Sequence, residues 1–586
     1  MKMRRSLSAV AVAAIAAAPL MLSAYQLILM NFIGLAVIVV VGLVLLTGIG
    51  GLTSFGQAAF VGMGAYTTAF LTTSYGISPW LTLLAGLAVA GVAAAFIGTI
   101  TLRLSGHYLP LSTIAWSLSL VFLAGNVEML GGHNGITGVP GLRIFAMTIA
   151  GPAYTWLIWA FVLIAFVSVQ NLLSSRDGRA IRCLRGRRVM AESFGIDTAR
   201  LKTAIFIHAA LLASVSGWLY AHLIQFVNPT PFGLNSGIEY LFMAVIGGAA
   251  QLGGAILGAA VLILVRDGLQ DVVPGLLGGA GAAESILFGL LMIIILQRAP
   301  KGLMPYLQRI LPEKPPITVD EGAAPLPRRD KPAPGTGLLE VSGLTRRFGG
   351  LVAVNDVSFR IKAGEIVGLI GPNGAGKSTM FNLLTGVLRP SAGEIRFQGA
   401  RIDGLPSRAI ARLGVARSFQ HVQLKSDMTA LENTAVGGHL RSSQGVLHAI
   451  LRRDRAQEGS LLLEAKRQME RVGLGNHLHT AAGGLALGQQ RVLEIARALA
   501  ADPVLLLLDE PAAGLRHHEK QELAAILRRL KEEGMTVLIV EHDMDFVMNL
   551  VDRLVVMDFG QKIAEGTPAE IQGNSKVQDA YLGAVA

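Results

Sequence analysis

The sequence predicts a polytopic α-helical membrane domain followed by an α/β domain with a phosphate-binding loop. Three observations predict this fold class. Hydrophobic residues make up 52% of the 586 residues, and the mean hydropathy is +0.54, which is too apolar for an ordinary soluble protein. Charged residues are unevenly distributed, with about 25 in residues 1–310 and about 64 in residues 311–586. The phosphate-binding loop occurs in the second, more polar part.

The membrane domain is predicted over residues 1–310. Residues 6–102 contain no Lys, Arg, Asp or Glu, a run of about 97 residues, whereas one membrane-spanning helix needs about 20. About eight to ten helices are expected in this domain. The predicted spans are residues 8–23, 26–46, 58–73, 80–102, 109–127, 154–169, 204–224, 240–265 and 285–296.

Basic residues predict which ends of these spans are cytoplasmic. Eight of them crowd one connection: Arg176, Arg179, Arg182, Arg185, Arg187, Arg188, Arg200 and Lys202. Lys2, Arg4 and Arg5 mark the N-terminus, and Arg298, Lys301 and Arg309 follow the last span. The positive-inside bias places all three groups in the cytoplasm. Membrane orientation therefore explains most of the net charge of +11, and no nucleic-acid partner is expected.

The first span has a second interpretation. Its basic start and alanine-rich stretch resemble a signal peptide. We interpret it as a membrane helix, because it brings the number of crossings before residue 176 to six. An even number is needed if the N-terminus and the basic connection are both cytoplasmic. The single cysteine, Cys183, permits no internal disulfide, which fits a reducing compartment.

Two glycine-rich segments predict interrupted helices. Three spans after residue 203 are an odd number, so one should be broken, and residues 247–254 are the best candidate. Residues 48–57 predict a second break. Paired interruptions are typical of a substrate path, and close helix packing is the alternative explanation. Glu128, Glu239 and Glu284 lie near span ends and are expected to be hydrated, and no role is assigned to His107, His133, His208 or His222.

Residues 311–337 are predicted to be a linker between the two domains. They contain seven prolines among charged and small residues. About 27 residues in extended form reach about 80 Å, so we expect a tether that leaves the contact between the domains unfixed. The α/β domain is then predicted over residues 338–586.

A nucleotide site is predicted at the end of a buried strand over residues 365–370. The strand runs into a G-x-x-x-x-G-K-S sequence that opens a helix. The loop comprises Gly371, Pro372, Asn373, Gly374, Ala375, Gly376, Lys377, Ser378 and Thr379. Backbone N–H groups and the helix N-terminus bind phosphate, Lys377 reaches the outer phosphates, and Ser378 can bind Mg²⁺. The expected ligands are therefore ATP and Mg²⁺.

A second apolar strand over residues 504–508 ends in two acidic residues. Its uninterrupted apolar character fits a sheet that is buried on both faces. At the strand end, Asp509 is expected to hold the Mg²⁺ shell and Glu510 to polarise the attacking water.

Five sequence elements resemble, in the same order, the motifs of an ABC-transporter ATPase. This resemblance implies that the second domain is an α/β P-loop NTPase. The five elements are Phe348, residues 418–420 with Gln420, residues 485–491, residues 509–511, and residues 541–543 with His542. The resemblance implies that Phe348 stacks on adenine, that Gln420 links Mg²⁺ and water to the membrane domain, and that His542 contacts the terminal phosphate. An ordinary strand aromatic is the alternative for Phe348. Gly514 and Leu515 resemble the loop that crosses between paired ATPases.

The signature element departs from the Leu-Ser-Gly-Gly-Gln pattern of that family. It is formed by Leu485, Ala486, Leu487, Gly488 and Gln489. By the resemblance, it contacts the nucleotide of a partner ATPase. Ala486 lacks the serine hydroxyl that would meet the terminal phosphate, so the site to which it contributes is expected to be weaker.

The membrane half resembles the permease of branched-chain amino-acid ABC importers. Residues 51–60, 64–66, 131–140 and 247–258 carry this resemblance, and residues 186–197 are similar to the coupling helix that docks beside the Gln420 loop. A solvated basic loop is the alternative for that segment. The resemblance implies an inner-membrane importer of leucine, isoleucine and valine with a cytoplasmic ATPase. Its partners would be a second permease, a second ATPase and a periplasmic substrate-binding protein, in contact with membrane lipid.

Two other functions remain open at this point. Permeases that carry urea or short amides also resemble this one, and the sequence alone shows no substrate pocket that would decide between the two kinds of substrate. A membrane protein that binds ATP without turnover is supported by Ala486. Homodimerisation is also open.

Overall fold

The computed structural model describes residues 13–102, 108–145, 147–277, 281–310 and 315–582. Lys2, Arg4, Arg5, His107 and the Glu284 side chain, all named above, lie outside the described residues and side chains.

The chain divides into two compact units. The first comprises Met1–Ser174 and Ala199–Pro315, and the second comprises Ser175–Thr198 and Pro316–Ala586. The basic connection at residues 175–198 therefore packs with the α/β unit, although the chain enters it from one helix of the first unit and leaves it into another.

The first unit is built almost entirely from helices. Residues 13–21 are helical and precede the labelled elements. The helices are α1 (Ala24–Leu43), α2 (Gln57–Tyr75), α3 (Pro79–Thr101), α4 (Tyr108–Asn126) and α5 (Pro152–Leu173), and after the excursion into the second unit α8 (Thr198–Ile224), α9 (Leu234–Gly248), α10 (Gly254–Leu277), α11 (Gly281–Arg298) and α12 (Met304–Gln308). Short strands also occur: β1 (Ile136–Thr137), β2 (Arg143–Ile144), β3 (Met147–Thr148) and β4 (Phe226–Val227).

Several of these helices are long and apolar enough to cross a membrane. Among the described residues five meet this criterion: Ala24–Ile49, Pro79–Thr101, Tyr108–Asn126, Pro152–Leu173 and Thr198–Ile224. Helix α1 starts with a capping box, in which Ser23 Oγ accepts from the Gln26 N–H and Gln26 Oε1 accepts from the Ser23 N–H. From Leu35 to Leu43 its side chains are buried, so α1 forms the centre of this unit.

Both predicted helix interruptions are present, and they contact each other. Helix α1 passes into a π-helix over Val44–Ile49 and then into non-helical backbone before α2. Helix α9 ends at Gly248, and α10 begins at Gly254, so the span predicted over residues 240–265 is two helices. Gly48 packs so closely on Ala249 that a Cβ atom at position 48 would lie 1.4 Å from the Ala249 carbonyl oxygen. Only glycine permits this approach.

Two histidines of this unit are bonded locally. The His222 ring bonds the Thr68 hydroxyl at 2.9 Å and the Pro140 carbonyl at 2.7 Å, and His208 Nε2 lies 3.2 Å from Ser168 Oγ. These bonds satisfy polar groups in an apolar surrounding, which requires no further function of the two rings.

The second unit contains two sheets. Its strands are β5 (Gly337–Phe348), β6 (Leu351–Lys362), β7 (Ile366–Ile370), β8 (Ala392–Phe397), β9 (Ala400–Arg401), β10 (Val415–Arg417), β11 (Leu505–Asp509), β12 (Thr536–Val540), β13 (Arg553–Asp558) and β14 (Gln561–Gly566). One sheet has the order β10-β11-β12-β7-β13-β14 and is parallel except for the β13-β14 pair. The other is antiparallel with the order β6-β5-β8-β9.

Helices surround these sheets. They are α6 (Arg176–Cys183), α7 (Arg188–Ser193), α13 (Lys377–Leu384), α14 (Ser407–Leu413), α15 (Ala430–Gly437), α16 (Val446–Ile450), α17 (Arg455–Arg471), α18 (Leu487–Leu499), α19 (His517–Glu532), α20 (Met544–Met548), α21 (Pro568–Gln572) and α22 (Ser575–Leu582). Strands β7, β11 and β12 are buried along their whole length, as their uninterrupted apolar sequences predict for a covered parallel sheet.

The described part of the linker lies on the second unit. The Arg329 backbone N–H donates to Asp502 Oδ2 at 2.6 Å, and its guanidinium donates to the Arg412 carbonyl at 2.6 Å. Arg441 donates to the Pro327 carbonyl at 2.9 Å. Hydrogen bonds at Pro327 and Arg329 therefore hold the linker on this unit at these positions, which shortens the free tether expected from the proline content.

Candidate functional site

The phosphate-binding loop follows the buried strand β7 and opens helix α13. Gly371 has φ +152°, and a Cβ atom there would lie 2.0 Å from the Met557 carbonyl oxygen of β13. The loop thus needs glycine for its tight turn against the neighbouring strand. Residues 371–379 form one continuous loop and first helical turn, where Asn373 and Ser378 are exposed.

Lys377 is folded back over this loop. Its Nζ donates to the carbonyl oxygens of Gly371 at 2.6 Å and Pro372 at 2.9 Å. Burial lowers the pKa of Lys377, whereas the nearby Glu510 and Asp509 carboxylates act in the opposite direction. The two carbonyls hold the ammonium group at the loop, where a bound phosphate can replace them as its partner.

Asp509 ends the buried strand β11. Its backbone N–H donates to Ser418 Oγ at 3.1 Å, and its carboxylate lies 3.6 Å from the Arg417 guanidinium. Burial raises the pKa of Asp509, and the positive charge of Arg417 opposes the shift. The Arg417 charge favours the ionised form of this buried carboxylate, and an ionised carboxylate at a strand end can bind a metal cation.

Glu510 lies next to Gln420 and His542, the two other residues that the sequence predicts to take part in ATP cleavage. Gln420 Nε2 donates to Glu510 Oε2 at 3.1 Å, and His542 Nδ1 lies 3.7 Å from Glu510 Oε1. Glu510 has φ +47°, a conformation that is uncommon for any residue other than glycine, and its backbone N–H bonds the Val540 carbonyl at 2.9 Å. Strained backbone of this kind concentrates at functional sites, where the surrounding structure holds it in place.

Two residues that support the site were not assigned roles from the sequence. Arg417 is buried and donates to Asn382 Oδ1 and Thr385 Oγ1, at 3.0 and 2.9 Å. Glu541 is buried and accepts from the Ala512 N–H at 2.6 Å and the His542 N–H at 3.3 Å. A charged residue in or directly after an apolar strand is the signal that could have identified both.

Phe348 lies at the end of β5, beside the turn into β6. Its ring is 41% exposed, and the Arg346 guanidinium lies 4.6 Å from the ring centroid. The Arg346 guanidinium packs against one face of the ring. The exposed part of the ring can stack on a planar ligand.

The signature residues lie at the start of helix α18. Ala486 occupies the N-cap position and is exposed, as is Leu487. Gln489 Oε1 accepts from the Ala486 N–H at 3.1 Å, but alanine has no side-chain oxygen to accept a bond from the first helical turn. One half of a capping box is therefore missing at this helix end.

Residues 175–198 are embedded in the second unit through buried charges. The Arg179 guanidinium makes two bonds to the Glu458 carboxylate of α17, at 2.5 and 2.9 Å, and both side chains are less than 8% exposed. Arg182 lies 2.9 Å from Glu432, and Arg176 donates to the Gln444 carbonyl at 2.6 Å. Removing one partner of the buried Arg179–Glu458 pair leaves an uncompensated charge, so loss of either side chain should weaken the attachment of this segment.

Helix α7 lies within residues 186–197 and contacts the loop that follows Gln420. Arg187 Nη1 donates to Gln423 Oε1 at 2.9 Å and to the Val422 carbonyl at 3.3 Å. Phe194 is buried with the Arg497 guanidinium 5.0 Å from its ring centroid, and Arg497 also donates to the Gln423 carbonyl at 2.9 Å. Residues 175–198, which continue into membrane-unit helices at both ends, therefore contact the loop that follows Gln420.

Three family models match the chain. The ABC transporter family matches residues 354–513, the branched-chain amino acid transport system permease component matches residues 25–296, and the branched-chain amino acid ATP-binding cassette transporter family matches residues 561–586. The matches thus cover both units of the chain.

Curated relatives match 42% of the chain over nearly their whole length. The high-affinity branched-chain amino acid transport ATP-binding protein LivG of Salmonella typhimurium is 46% identical over 42% of this chain and 98% of its own length. The corresponding BraF protein of Pseudomonas aeruginosa is 47% identical over the same shares. A solved ATP-binding cassette of an ABC transporter, in its ADP conformation, is 32% identical over 42% of this chain and 99% of its own, with a TM-score of 0.39. The chain belongs to the branched-chain amino acid ABC transporter family, and it carries a permease region and an ATP-hydrolysing cassette in one polypeptide.

Proposed function

We propose that this chain is the fused permease and ATPase subunit of an importer that carries leucine, isoleucine and valine across a bacterial inner membrane. It is a multi-pass membrane protein with a cytoplasmic ATPase. The substrate follows from the permease family matched over residues 25–296 and from the names of the relatives. The observation that carries the coupling of ATPase to permease is the hydrogen bond from Arg187 to Gln423, beside Gln420.

We assign the chemistry of ATP cleavage to Glu510, Gln420 and His542. Glu510 accepts the proton of the attacking water, and the bond from Gln420 orients its carboxylate. General-base catalysis of this kind contributes about 10²–10⁴-fold to a rate. His542, which is exposed beside Glu510, contacts the terminal phosphate. Lys377 and the loop N–H groups hold the outer phosphates.

The same site has the oxygen atoms that Mg²⁺ prefers. Ser378 presents an exposed hydroxyl on the first turn of α13, and Asp509 presents a carboxylate at the end of β11. The Gln420 amide donates through Nε2 to Glu510, which leaves its Oε1 as an acceptor. Hydroxyl, carboxylate and amide oxygens suit this ion, which, when bound, neutralises charge on the phosphates.

Movement of the Gln420 loop is transmitted to the permease through residues 175–198. When nucleotide draws Gln420 into the site, Gln423 moves with it, and Arg187 and Arg497 tie that residue to α7. The Arg179–Glu458 pair keeps α6 attached to the ATPase during this movement. Nucleotide binding therefore changes the position of a segment that continues into membrane-unit helices on both sides.

The working assembly contains partner permease and ATPase subunits. We propose a second permease, a second ATPase and a periplasmic substrate-binding protein, surrounded by membrane lipid. The exposed Ala486 and Leu487 at the start of α18 are positioned to meet the nucleotide of the second ATPase. Because Ala486 has no hydroxyl, this contact relies on backbone N–H groups.

Uptake by vesicles that contain the assembled complex tests this function. Labelled leucine should enter only with internal ATP, and unlabelled isoleucine and valine should compete while urea should not. Uptake that urea blocks and that valine leaves unchanged would contradict the proposed substrate. Glu510→Gln should abolish steady ATP hydrolysis by this chain, whereas Glu532→Gln, at an exposed carboxylate on the end of α19, should leave it unchanged. Equal hydrolysis in the Glu510→Gln and Glu532→Gln variants would contradict the catalytic assignment.

A further inference from the structure

The membrane unit contains a cavity of about 440 Å³ between α1, α2, α8, α9 and α10. Its size falls in the range of about 300–1,000 Å³ that is typical of small-molecule sites. None of the residues assigned to ATP cleavage or to its coupling lines it.

Most of the cavity wall is aliphatic or aromatic. Phe32 comes from α1, Val61 from α2, Met243 from α9 and Leu262 from α10, and Phe232 precedes α9. All five side chains are more than half buried in the unit, and four of them, Val61, Phe232, Met243 and Leu262, are almost completely buried. Such a wall favours a branched aliphatic group over a polar one.

Charged side chains of both signs occupy one part of the same cavity. Arg266 Nη1 lies 2.8 Å from Glu239 Oε1, with 50% and 33% of the two side chains exposed. Asp267 also lines the cavity and accepts a hydrogen bond from the Tyr25 hydroxyl. Glu239 was expected to be hydrated near a span end, but the structure pairs it with Arg266. Ionisable residues in apolar helices are costly, and they usually mark a substrate or ion path.

We propose that this cavity binds the α-amino acid during its passage, with Arg266 on the carboxylate, Glu239 and Asp267 on the ammonium group, and the apolar wall around the branched side chain. The inference rests on the proposed function and names the substrate site within it. A zwitterion replaces the single Arg266–Glu239 pair by two new ion pairs, so no charge is left unpaired next to apolar side chains. Guanidinium and carboxylate groups match in a two-point geometry.

This arrangement also separates the two classes of substrate that the sequence left open. Urea and short amides carry neither a carboxylate nor an ammonium group. They can form hydrogen bonds with Arg266 and Glu239 but cannot form an ion pair with either side chain. Urea and short amides also leave most of the apolar wall without contact. The cavity therefore favours the amino acid through both its charged groups and its apolar wall.

Photolabelling of the purified complex tests the site without the periplasmic binding protein. The probe is a leucine analogue with a diazirine in its side chain, which retains both charges. We expect it to label peptides that contain Phe32, Val61, Met243 or Leu262. Excess leucine should compete, whereas urea, leucinol, which lacks the carboxylate, and 4-methylpentanoate, which lacks the ammonium group, should not.

Variants then assign the roles of the charged groups. Arg266→Gln and Glu239→Gln should each lower labelling at least about tenfold, because each removes one charge-assisted contact. Met243→Trp fills the cavity without changing the ion pair and should also abolish labelling. Arg360→Gln removes an exposed ion-paired arginine of the ATPase and should leave labelling unchanged. ATP hydrolysis by each variant shows that the complex is intact.

Leucine uptake by the same preparations separates this inference from the proposed function. Uptake with labelling at other positions, or labelling that is unchanged in Arg266→Gln, would overturn the cavity assignment alone. Absence of leucine uptake by the intact wild-type complex would contradict the proposed function instead.

Discussion

Arg187 on the connection between two membrane-unit helices donates a hydrogen bond to the side chain of Gln423, Nη1 to Oε1 at 2.9 Å. Gln423 lies three residues after Gln420, which bonds the Glu510 carboxylate. Two hydrogen bonds and the short stretch from Gln420 to Gln423 thus connect the proposed catalytic base to a segment that continues into the permease region.

The buried pair between Arg179 and Glu458 should be needed to keep α6 on the ATPase. Arg179→Met leaves the Glu458 carboxylate buried without a counter-charge, which should cost about 3–5 kcal/mol of unfolding free energy. Thermal unfolding of the full chain in detergent measures this loss as a lower Tm. The double variant Arg179→Met/Glu458→Leu should recover much of it, because neither charge then remains buried.

The exposed pair of Arg396 and Glu394 provides the control for that measurement. Arg396→Met should leave the Tm close to that of the wild type, since solvent screens this pair. A double variant at Arg179 and Glu458 that is as unstable as the sum of its single variants would show that the buried pair makes no specific contribution.

Ala486→Ser should strengthen the signature. The new hydroxyl can accept a hydrogen bond from the Gln489 N–H and complete the capping box, a gain of about 1 kcal/mol in helix stability. It also restores a donor toward the partner nucleotide, so ATP turnover by the complex should rise. Steady-state hydrolysis measures the rate, and Ala481→Ser, at an exposed alanine outside the helix, is the control. Unchanged turnover in Ala486→Ser would mean that the hydroxyl has no role in this transporter.

The acid limb of the ATPase pH profile should depend on Arg417. Burial raises the pKa of Asp509 above its usual 3.8, and Arg417 opposes this shift. Activity should fall as the pH decreases through the raised pKa, because protonated Asp509 is a poor ligand for a cation. Arg417→Met removes the opposing charge and should move the acid limb to higher pH, whereas Arg417→Lys should leave it near its original position. An identical profile in all three proteins would contradict this role.

The raised pKa of Asp509 has opposite effects on activity and on folding stability as the pH changes. A carboxyl whose pKa is raised in the folded chain binds its proton more readily there than in the unfolded chain. The contribution of Asp509 to the unfolding free energy therefore decreases as the pH rises from its unfolded pKa through its folded pKa. Measurements of stability and of activity against pH should show opposite trends for this residue over that interval.

The nucleotide site could be predicted where function depends on a short contiguous run of sequence. Lys377 and Ser378 follow a buried strand within one motif, and Asp509 and Glu510 end another apolar strand. The two helix interruptions were also predictable, because glycine runs break apolar helices. Their mutual contact at Gly48 and Ala249 was not, since it depends on how α1 and α9 pack.

Contacts between distant residues could not be predicted from local pattern. Arg179 and Glu458 are 279 residues apart, and the sequence showed only a basic loop and a polar helix. Glu239 and Arg266 lie on separate helices, so a carboxylate expected to be hydrated is an ion-pair partner in a cavity. Arg417, on strand β10, was missed because its partners are distant in sequence: Asn382 lies on helix α13 and Thr385 directly follows that helix.

The proposed coupling is tested most directly by measuring leucine uptake and ATP hydrolysis together in vesicles that contain Arg187→Ala. Arg187 contacts the Gln420 loop without touching the proposed catalytic groups, and Arg188→Ala is the control because Arg188 is exposed and pairs with Glu192 on its own helix. We predict that Arg187→Ala keeps ATP hydrolysis within about twofold of the wild type while leucine moved per ATP falls at least about tenfold, since about 1.4 kcal/mol of lost coupling corresponds to that factor. An unchanged ratio of leucine to ATP in Arg187→Ala would contradict the account.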